Sequence, residues 1–338
     1  MYNSIIKIIL IISLSNLLLI FSFEKIAKFV NIYDLPDNVR KKHHHSTPLL
    51  GGLIILIAVL NILLINFIIS DFELNSIIFS NSNNTFYFFL TCMSIFTIGT
   101  LDDKFSLSAS VRLFLCIIIF TIYLSLNPGM QLNDIKFSFL NLNFELDFIG
   151  IPFTILCYLL IINALNMYDG INLQLGFFGI LILSLLFFSG LNIAIFLPLL
   201  ISLILFSFLN FNNKTFMGDS GSMLLSFIIG SLLIDMYNLN IFNYADKIFL
   251  LLSIPGYDLV RLVILRLYQK KNIFLPDNNH IHHLLSEKLS NIKTNLILLF
   301  IVIFPYALSY HILSNLKAIF TGFFIYISLI LILKYSKS

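Results

Sequence analysis

The sequence predicts an all-α polytopic membrane protein whose residues 1–338 form a single integral membrane domain. Two observations predict this class. Of the 338 residues, 59% are hydrophobic and only 11% are charged, against roughly a quarter charged in an ordinary soluble domain. Several uncharged stretches also reach the about 20 residues that cross a bilayer core as a helix. These stretches are residues 74–101, 148–168, 170–213 and 294–316.

About 10–11 transmembrane helices are expected from the apolar spans between charged or turn-rich breaks. The spans lie near residues 5–28, 49–70, 85–101, 111–127, 149–166, 176–189, 192–209, 221–237, 247–267, 294–313 and 318–334. Residues 170–213 hold two spans, because 44 uncharged residues are too many for one helix and the turn-forming Ser189-Gly190 lies between them.

Lysine and arginine are unevenly distributed between the two sets of connecting segments. One set, with the N-terminus, holds only Lys7, Lys136, Lys247 and Lys317, and the remaining sixteen of the 20 lie on the other side or at helix ends facing it. The positive-inside rule therefore predicts an outside N-terminus and a cytoplasmic C-terminus. The external segment 127–147 has the alternation of a small hairpin. A net charge of +3 gives no reason to expect a nucleic-acid partner.

The reactive side chains collect in five segments on the predicted cytoplasmic side. These segments are residues 31–48, 102–110, 166–175, 210–220 and 268–293. We therefore expect cytoplasmic active-site loops that form one site at the membrane surface. Such a site can serve one water-soluble substrate and one membrane lipid.

The pair Asp102-Asp103 ends the third span. Two adjacent carboxylates at a bilayer boundary are costly unless they are solvated, paired or bound to a cation. The alternative is a solvated helix end, but the negative end of the helix dipole is a poor place for acids. We favour a functional role for the pair.

Asn163, Asn166 and Asp169 recur every third residue and form a polar stripe at the cytoplasmic end of an apolar span. The alternative is that asparagines bond neighbouring helices, which is credible for Asn163 alone. For Asp169, which precedes Gly170, we favour a functional role.

Asp219 lies in the glycine-flanked sequence Gly218-Asp219-Ser220-Gly221 at the start of the eighth span. An acid or serine there can simply cap the helix. Alternatively, the glycines let backbone N–H groups approach a phosphate, and Asp219 holds a metal ion beside it. The sequence leaves both interpretations open.

Two histidine clusters follow basic residues. His280, His282 and His283 come after Lys270 and Lys271, which suits phosphate or diphosphate binding; a zinc site would need a further ligand and no HExxH motif is present. A second cluster, residues 43–45, follows Lys42. Lipid headgroup attraction by simple electrostatics is the alternative role there.

The candidate metal-ligating residues favour a hard cation. Carboxylates dominate, and the three cysteines lie in apolar runs without metal-binding spacing. Mg²⁺ is the simplest cofactor, with Mn²⁺ as the alternative. Mg²⁺ with lysines is typical of phosphoryl transfer, so we predict a magnesium-dependent membrane enzyme acting on a phosphorylated substrate beside a lipid co-substrate.

Five motifs, in this order, resemble those of the polyprenyl-phosphate N-acetylhexosamine-1-phosphate transferases (glycosyltransferase family 4). That superfamily contains bacterial undecaprenyl-phosphate GlcNAc-1-phosphate transferase and phospho-MurNAc-pentapeptide translocase. The matching residues are 41–43 with 48–52, 101–105 with Arg112 and Leu113, 163–170, 216–222 and 277–283.

The resemblance implies a reaction and a place for it. Polyprenyl (undecaprenyl) phosphate attacks a UDP-amino sugar, giving the polyprenyl-diphosphate sugar and UMP at the cytoplasmic face of a bacterial inner membrane. By the same resemblance, Asp102, Asp103 and Asp169 are catalytic, Asp219 and Asp169 hold the metal, and the substrates are bound by Lys42, Lys104, Asn163, Asn166, His280, His282 and His283. Homodimers occur among such proteins.

The chain departs from the family pattern at two positions. Asn172 stands where many members have a second acid, and Ser106 stands where some extend the aspartate pair. The histidine segment is closer to the GlcNAc-1-phosphate branch than to the translocase branch. Outside this family, the alternative is an anion or metal transporter lined by Asp235, Asp258 and Arg261. A transporter should instead carry its decisive polar groups near the bilayer midplane.

Overall fold

A computed structural model describes residues 2–34, 46–68, 76–140, 142–271 and 279–335. The helices are α1 Tyr2–Val30, α2 Gly51–Ile68, α3 Ser82–Phe105, α4 Ala109–Leu126, α5 Gly150–Tyr168, α6 Gln174–Phe188, α7 Ile193–Phe211, α8 Gly218–Asn238, α9 Ala245–Leu251, α10 Ser253–Tyr268, α11 Ile281–Ser286, α12 Asn291–His311 and α13 Asn315–Tyr335. The strands form two small antiparallel ladders, β1 Tyr33–Asp34 with β2 Thr47–Pro48 and β3 Asp134–Lys136 with β4 Asn143–Glu145. The expected all-α class and the hairpin within 127–147 are confirmed.

Within those ranges, nine helices are long and apolar enough to cross a membrane, or up to ten if one bent pair counts as a span. Each of the eleven predicted spans contains a helix, but two differ from a full crossing. Helix α6 has 15 residues, about 22 Å at 1.5 Å per residue, which is shorter than a bilayer core. The span near 247–267 is broken into α9 and α10, which meet at 84°. Pro255, in the first turn of α10, favours a new helix there because its missing N–H needs no partner at that place.

Helix α8 is the centre of the bundle. All of its residues from Ser220 to Tyr237 are buried. The ring of Phe227 lies 5.6 Å from Phe88, 5.8 Å from Phe120 and 5.4 Å from Tyr158, between ring centroids, so aromatic side chains of α3, α4 and α5 meet on this helix. Its surface is therefore enclosed by protein.

Small residues let α2 and α3 approach the first turn of α8. A Cβ added to Gly99 of α3 would lie 2.3 Å from Ser220 Cα. A Cβ added to Gly52 of α2 would lie 2.8 Å from the nitrogen of Gly221, and one added to Gly221 would lie equally close to the nitrogen of Gly52. Such contacts between backbones are typical of helix packing in membranes. They hold the start of α8 between α2 and α3.

The segment before α8 is also tied to the segment before α2. The N–H of Phe216 donates to Pro48 O at 3.1 Å, and the N–H of Gly51 donates to Phe216 O at 3.1 Å. The Thr215 hydroxyl adds a bond to the same carbonyl of Pro48 at 2.9 Å. These hydrogen bonds thus fix the start of α8 relative to the start of α2.

We expect Gly99→Ala to lower the thermal unfolding midpoint of the detergent-purified protein by several degrees. The new methyl group would overlap the backbone of Ser220, and overpacking of this kind costs about 1–3 kcal/mol. The matched control is Gly256→Ala in α10, where the added Cβ meets only Phe249 at 3.7 Å. Equal midpoints for the two variants would contradict the close packing of α3 on α8.

Candidate active site

Three helix ends meet at one membrane surface and bring the predicted acids together. Helix α3 ends beside Asp102 and Asp103, α5 ends immediately before Asp169, and α8 begins next to Asp219. Because α3 and α5 end where α8 begins, the four carboxylates lie on the same side of the bundle. The structure thus brings the four predicted acids together at one end of the bundle.

Asp103 caps the start of α8 from the neighbouring helix. The N–H of Asp219 donates to Oδ1 of Asp103 at 2.7 Å, and the N–H of Ser220 donates to Oδ2 at 3.0 Å. Gly218 has a φ of +69° and leaves no space for a side chain, since its Cβ would lie 2.8 Å from Asp103 Oδ2. A carboxylate at a helix N-terminus is favoured by free N–H groups and by the helix dipole.

The cap from Asp103 leaves the side chain of Asp219 available. Asp219 does not cap its own helix, so that alternative is excluded. Its Oδ1 accepts a hydrogen bond from Asn166 Nδ2 at 2.5 Å, and the same amide donates to Ser222 Oγ at 2.8 Å. Asn166 therefore orients the carboxylate of Asp219.

Arg112, at the start of α4, links two of the acids. Its Nη1 lies 2.5 Å from Oδ2 of the buried Asp102 and 3.9 Å from Oδ1 of Asp219. The motif that contains Arg112 did not predict a role for it. The signal was its position only a short turn after the aspartate pair, which returns its guanidinium to the same helix end.

Asp169 follows the last residue of α5, and its N–H bonds to Leu165 O at 3.1 Å. Burial raises the pKa of Asp169 to about 7, and the negative charges of Asp219 and Asp103 add to this effect. Among the described residues, its carboxylate makes no hydrogen bond or ion pair. An unneutralised carboxylate beside other acids is the situation that a bound cation relieves.

The free carboxylate oxygens fit a hard cation. The hydrogen bonds and the ion pair described above already engage Asp103 and Asp102, whereas Asp169 and Asp219 offer oxygens beside one another's charge. Oxygen ligands with few nitrogen donors suit Mg²⁺ or Mn²⁺. Asp169 and Asp219 are thus the residues that could hold the metal.

The histidine segment rests on an ion-pair network. Asp258 Oδ2 lies 2.9 Å from His280 Nδ1, and its Oδ1 accepts hydrogen bonds from Tyr326 Oη at 2.6 Å and Arg261 Nη2 at 2.7 Å. Asp258 and Arg261 therefore neutralise each other. This pairing removes the main support for the transporter alternative.

His282 is fully buried beside the Asp169-Gly170 turn. A Cβ added to Gly170 would lie 1.9 Å from His282 Nε2, and neither ring nitrogen has a hydrogen-bond partner within the described ranges. Burial lowers the pKa of His282 well below its usual value, and the neighbouring His283 and His280 act in the same direction. The imidazole is therefore neutral and packs against the turn that carries Asp169.

Ligand atoms of Asp258, His280 and His282 lie within 4.8 Å of one another. The rings of His280 and His282 are stacked, however, with centroids 5.1 Å apart and planes at 17°. Because a histidine coordinates in the plane of its ring, one ion cannot lie close to the planes of two separate rings that are nearly parallel. With Asp258 already engaged, this cluster suits support of the segment better than metal binding.

The other predicted residues are placed as follows. Asn163 donates to Leu159 O within its own helix at 2.7 Å, one turn before Asn166. Lys104 is exposed, with Nζ 5.4 Å from the ring centroid of Phe105. His283 is half-buried, with its ring 4.3 Å from that of His282. Lys42 lies outside the described residues.

Asn172, which replaces a family acid, joins two loops at the site. Its Nδ2 donates to Asn213 Oδ1 at 2.6 Å and to Asn210 O at 3.2 Å. Its carbonyl accepts a bond from Asn295 of α12 at 3.0 Å. An amide at this position thus acts as a donor, which a carboxylate cannot do.

The fold and the acidic site define a multi-pass membrane protein with a polar centre at one end of its helices. Residues 85–237 match the family model described as Glycosyl transferase family 4. A Bacillus subtilis protein, named as a probable undecaprenyl-phosphate N-acetylglucosaminyl 1-phosphate transferase, is 29% identical over 95% of this chain and 88% of its own length.

Two further relatives are named undecaprenyl-phosphate alpha-N-acetylglucosaminyl 1-phosphate transferases. The Thermotoga maritima protein is 29% identical over 80% of this chain and 79% of its own length. The Escherichia coli K12 protein is 29% identical over 81% of this chain and 74% of its own length. These similarities support the superfamily that the motifs of the chain resemble.

We expect Gly170→Ala and His282→Ala to be strongly non-additive in stability. The added methyl group would overlap His282 Nε2, and removing the imidazole makes room for it. Neighbouring residues of this kind typically couple by about 0.5–3 kcal/mol. The midpoints of thermal unfolding should therefore show that the double variant loses less than the sum of the two single losses.

The pair Gly256→Ala and His282→Ala is the control, because Gly256 has no contact with His282 among its nearest atoms. Its effects should be additive. Additive effects for Gly170 and His282 as well would contradict their contact.

Proposed function

We propose that the protein transfers a HexNAc-1-phosphate, with GlcNAc-1-phosphate as the first candidate, from a UDP-sugar to undecaprenyl or another polyprenyl phosphate. UMP is the second product, and the reaction would initiate a lipid-linked cell-envelope glycan. The observation that carries this proposal is the convergence of Asn166 and Asp169, at the end of α5, with Asp219, at the start of α8. The printed names of relatives that match most of the chain supply the substrate class.

In this proposal Asp169 and Asp219 hold Mg²⁺, for which Mn²⁺ can substitute. A divalent ion held by these two carboxylates would supply neutralisation of negative charge on the sugar nucleotide, and charge neutralisation is a large part of catalysis in phosphoryl transfer. The surroundings of Asp169 support the assignment, because burial and then the charges of Asp219 and Asp103 raise its pKa, and its carboxylate has no partner among the described residues. Asn166 keeps the carboxylate of Asp219 in its orientation.

The lipid phosphate supplies the nucleophile. One of its oxygens forms a bond to the β-phosphorus of the UDP-sugar, the bond from that phosphorus to the bridging oxygen breaks, and the electron pair leaves with UMP. A phosphate monoester has its second pKa at about 6, so most of it is already a dianion near neutral pH. The acids are therefore assigned to charge placement rather than to proton removal.

Asp102 and Asp103 are proposed to position the groups that meet the phosphates. Asp102 holds Arg112, whose guanidinium lies between two of the acids. Asp103 holds the first turn of α8. Lys42 and Lys104 are proposed as further phosphate contacts, and the segment with His280, His282 and His283 as the wall that receives the diphosphate.

We place the site at the cytoplasmic face of a bacterial inner membrane. The support is the charge distribution: the helix ends that carry the acids lie on the side rich in lysine and arginine. UDP-sugars are water-soluble, whereas polyprenyl phosphate stays in the bilayer. A site at a cytoplasmic membrane surface is accessible to both.

Membranes containing the protein should release UMP from UDP-GlcNAc only when polyprenyl phosphate and Mg²⁺ are both supplied. Polyprenyl phosphate is required because it is the acceptor. Mg²⁺ is required because it offsets the negative charge of the lipid phosphate and of the UDP-GlcNAc diphosphate. Release is measured chromatographically, and a panel of UDP-sugars then identifies the amino sugar. UMP release that persists without the lipid would contradict the proposal.

Asp169→Asn and Asp219→Asn should each reduce turnover about a hundredfold or more, since each removes a charged ligand of the metal. Insertion and the unfolding midpoint should stay close to those of the unaltered protein. The control is Asp134→Asn, which removes an acid that pairs with Lys136 on the opposite face. Normal turnover in both site variants would refute the assignment of the metal ligands.

A further inference from the structure

A cavity of about 560 Å³ opens on the face opposite the acidic site. Its walls come from the end of α6, the loop before α9, α9 itself and the junction of α12 with α13. The acidic site lies near the start of α12, where Asn295 bonds to Asn172. The cavity lies at the far end of α12, so it is distinct from the catalytic centre.

Lys247 of α9 lines this cavity without a carboxylate partner. Its Nζ lies 3.4 Å from the ring centroid of Tyr310 and 5.7 Å from that of Tyr306. No acid of the described ranges lies within ion-pair distance of it. The neighbouring Asp246 is buried and accepts hydrogen bonds from the N–H and hydroxyl of Ser138 instead. Aromatic faces hold the ammonium group but leave its charge unneutralised.

Hydrogen-bonding groups surround the lysine. Asn243 and Asn315, with the neighbouring Ser314, also line the cavity and come from two different parts of the chain. Hydroxyls and amides can donate to phosphate oxygens, and lysine is a common phosphate-binding residue. A cationic wall with several neutral donors fits a singly charged phosphate group.

The rim of the cavity is apolar. Phe188, at the end of α6, lines the cavity with 83% of its surface exposed, and Leu313, just after α12, also lines it. These residues lie at the ends of helices that pack among the membrane spans. A ligand with a phosphate and a hydrocarbon chain would therefore satisfy both the interior and the rim.

We propose that this cavity binds the headgroup of an anionic phospholipid in the leaflet opposite the acidic site. The phosphate lies against Lys247, and an acyl chain runs along Phe188. Basic residues at helix ends attract anionic lipid headgroups in this way. The proposal does not depend on the transfer reaction.

The test uses the full chain in nanodiscs of phosphatidylcholine that contain a minor fraction of phosphatidylglycerol. Native mass spectrometry counts the phosphatidylglycerol molecules that stay bound. Lys247→Gln should retain phosphatidylglycerol about fivefold less often than the unaltered protein, and Lys247→Arg should retain it. The matched control is Lys317→Gln, an exposed lysine of the same face that does not line the cavity, and it should retain the lipid normally.

A second set of measurements identifies the source of the phosphate. Phe188→Ser should weaken lipid retention because the acyl chain loses its contact. Inorganic phosphate at the same concentration should not displace the lipid from the unaltered protein; displacement would show a soluble phosphate ligand and overturn the proposal.

Equal retention by Lys247→Gln and the unaltered protein would also overturn the proposal. If Lys247→Gln fails to fold in phosphatidylcholine alone, Asn243→Leu, at an exposed loop position, replaces it. Retention should fall in that variant, and unchanged retention would again refute the site.

Discussion

The acidic site depends on one interaction, the pair of hydrogen bonds from the first turn of α8 to the carboxylate of Asp103. It joins the end of α3 to the start of α8, at a point where Gly99 and Gly218 bring the two backbones together. The position of Asp219, and through it those of Asn166 and Arg112, is set relative to this turn. A short side chain on α3 thus determines the geometry of residues on α4, α5 and α8.

The aspartates at this surface differ in the protein groups that contact them. Asp102 is paired with a guanidinium, and Asp103 accepts hydrogen bonds from two backbone N–H groups, although burial still raises the pKa of Asp103 to about 6. The carboxylate of Asp169 has no such partner among the described residues, and burial, followed by the charges of Asp219 and Asp103, raises its pKa to about 7. The aspartate pair thus supports the structure of the site, while Asp169 has no protein group that offsets its charge.

Hydropathy predicted the helices well because membrane insertion depends on local composition, which each stretch of sequence carries by itself. The bend between α9 and α10 was missed, since the apolar run continues through Leu252 and only Pro255 indicates a new start. The acids were found because charged residues are rare in this sequence. Their partners were not, because the bonds of Asp103 join residues more than a hundred positions apart.

The polar stripe that contains Asn163 and Asn166 also shows that a sequence pattern does not identify the partners of its residues. Asn163 and Asn166 were predicted together from their spacing, yet only Asn166 reaches Asp219. One helical turn separates them by about 4.5 Å along the axis, which is enough to leave Asn163 bonded to its own backbone. Periodicity identifies the face of a helix, whereas the level at which a neighbouring helix begins decides which residue on that face is used.

The complete enclosure of α8 has a consequence for how the bilayer acts on the protein. Hydrophobic mismatch is felt by helices whose side chains touch acyl chains, and α1, with exposed Leu10, Leu14 and Phe21, is such a helix. Changes in bilayer thickness would tilt these outer helices first. The helix that carries Asp219 has no lipid contact along its buried length, so the position of Asp219 is insulated from the thickness of the membrane.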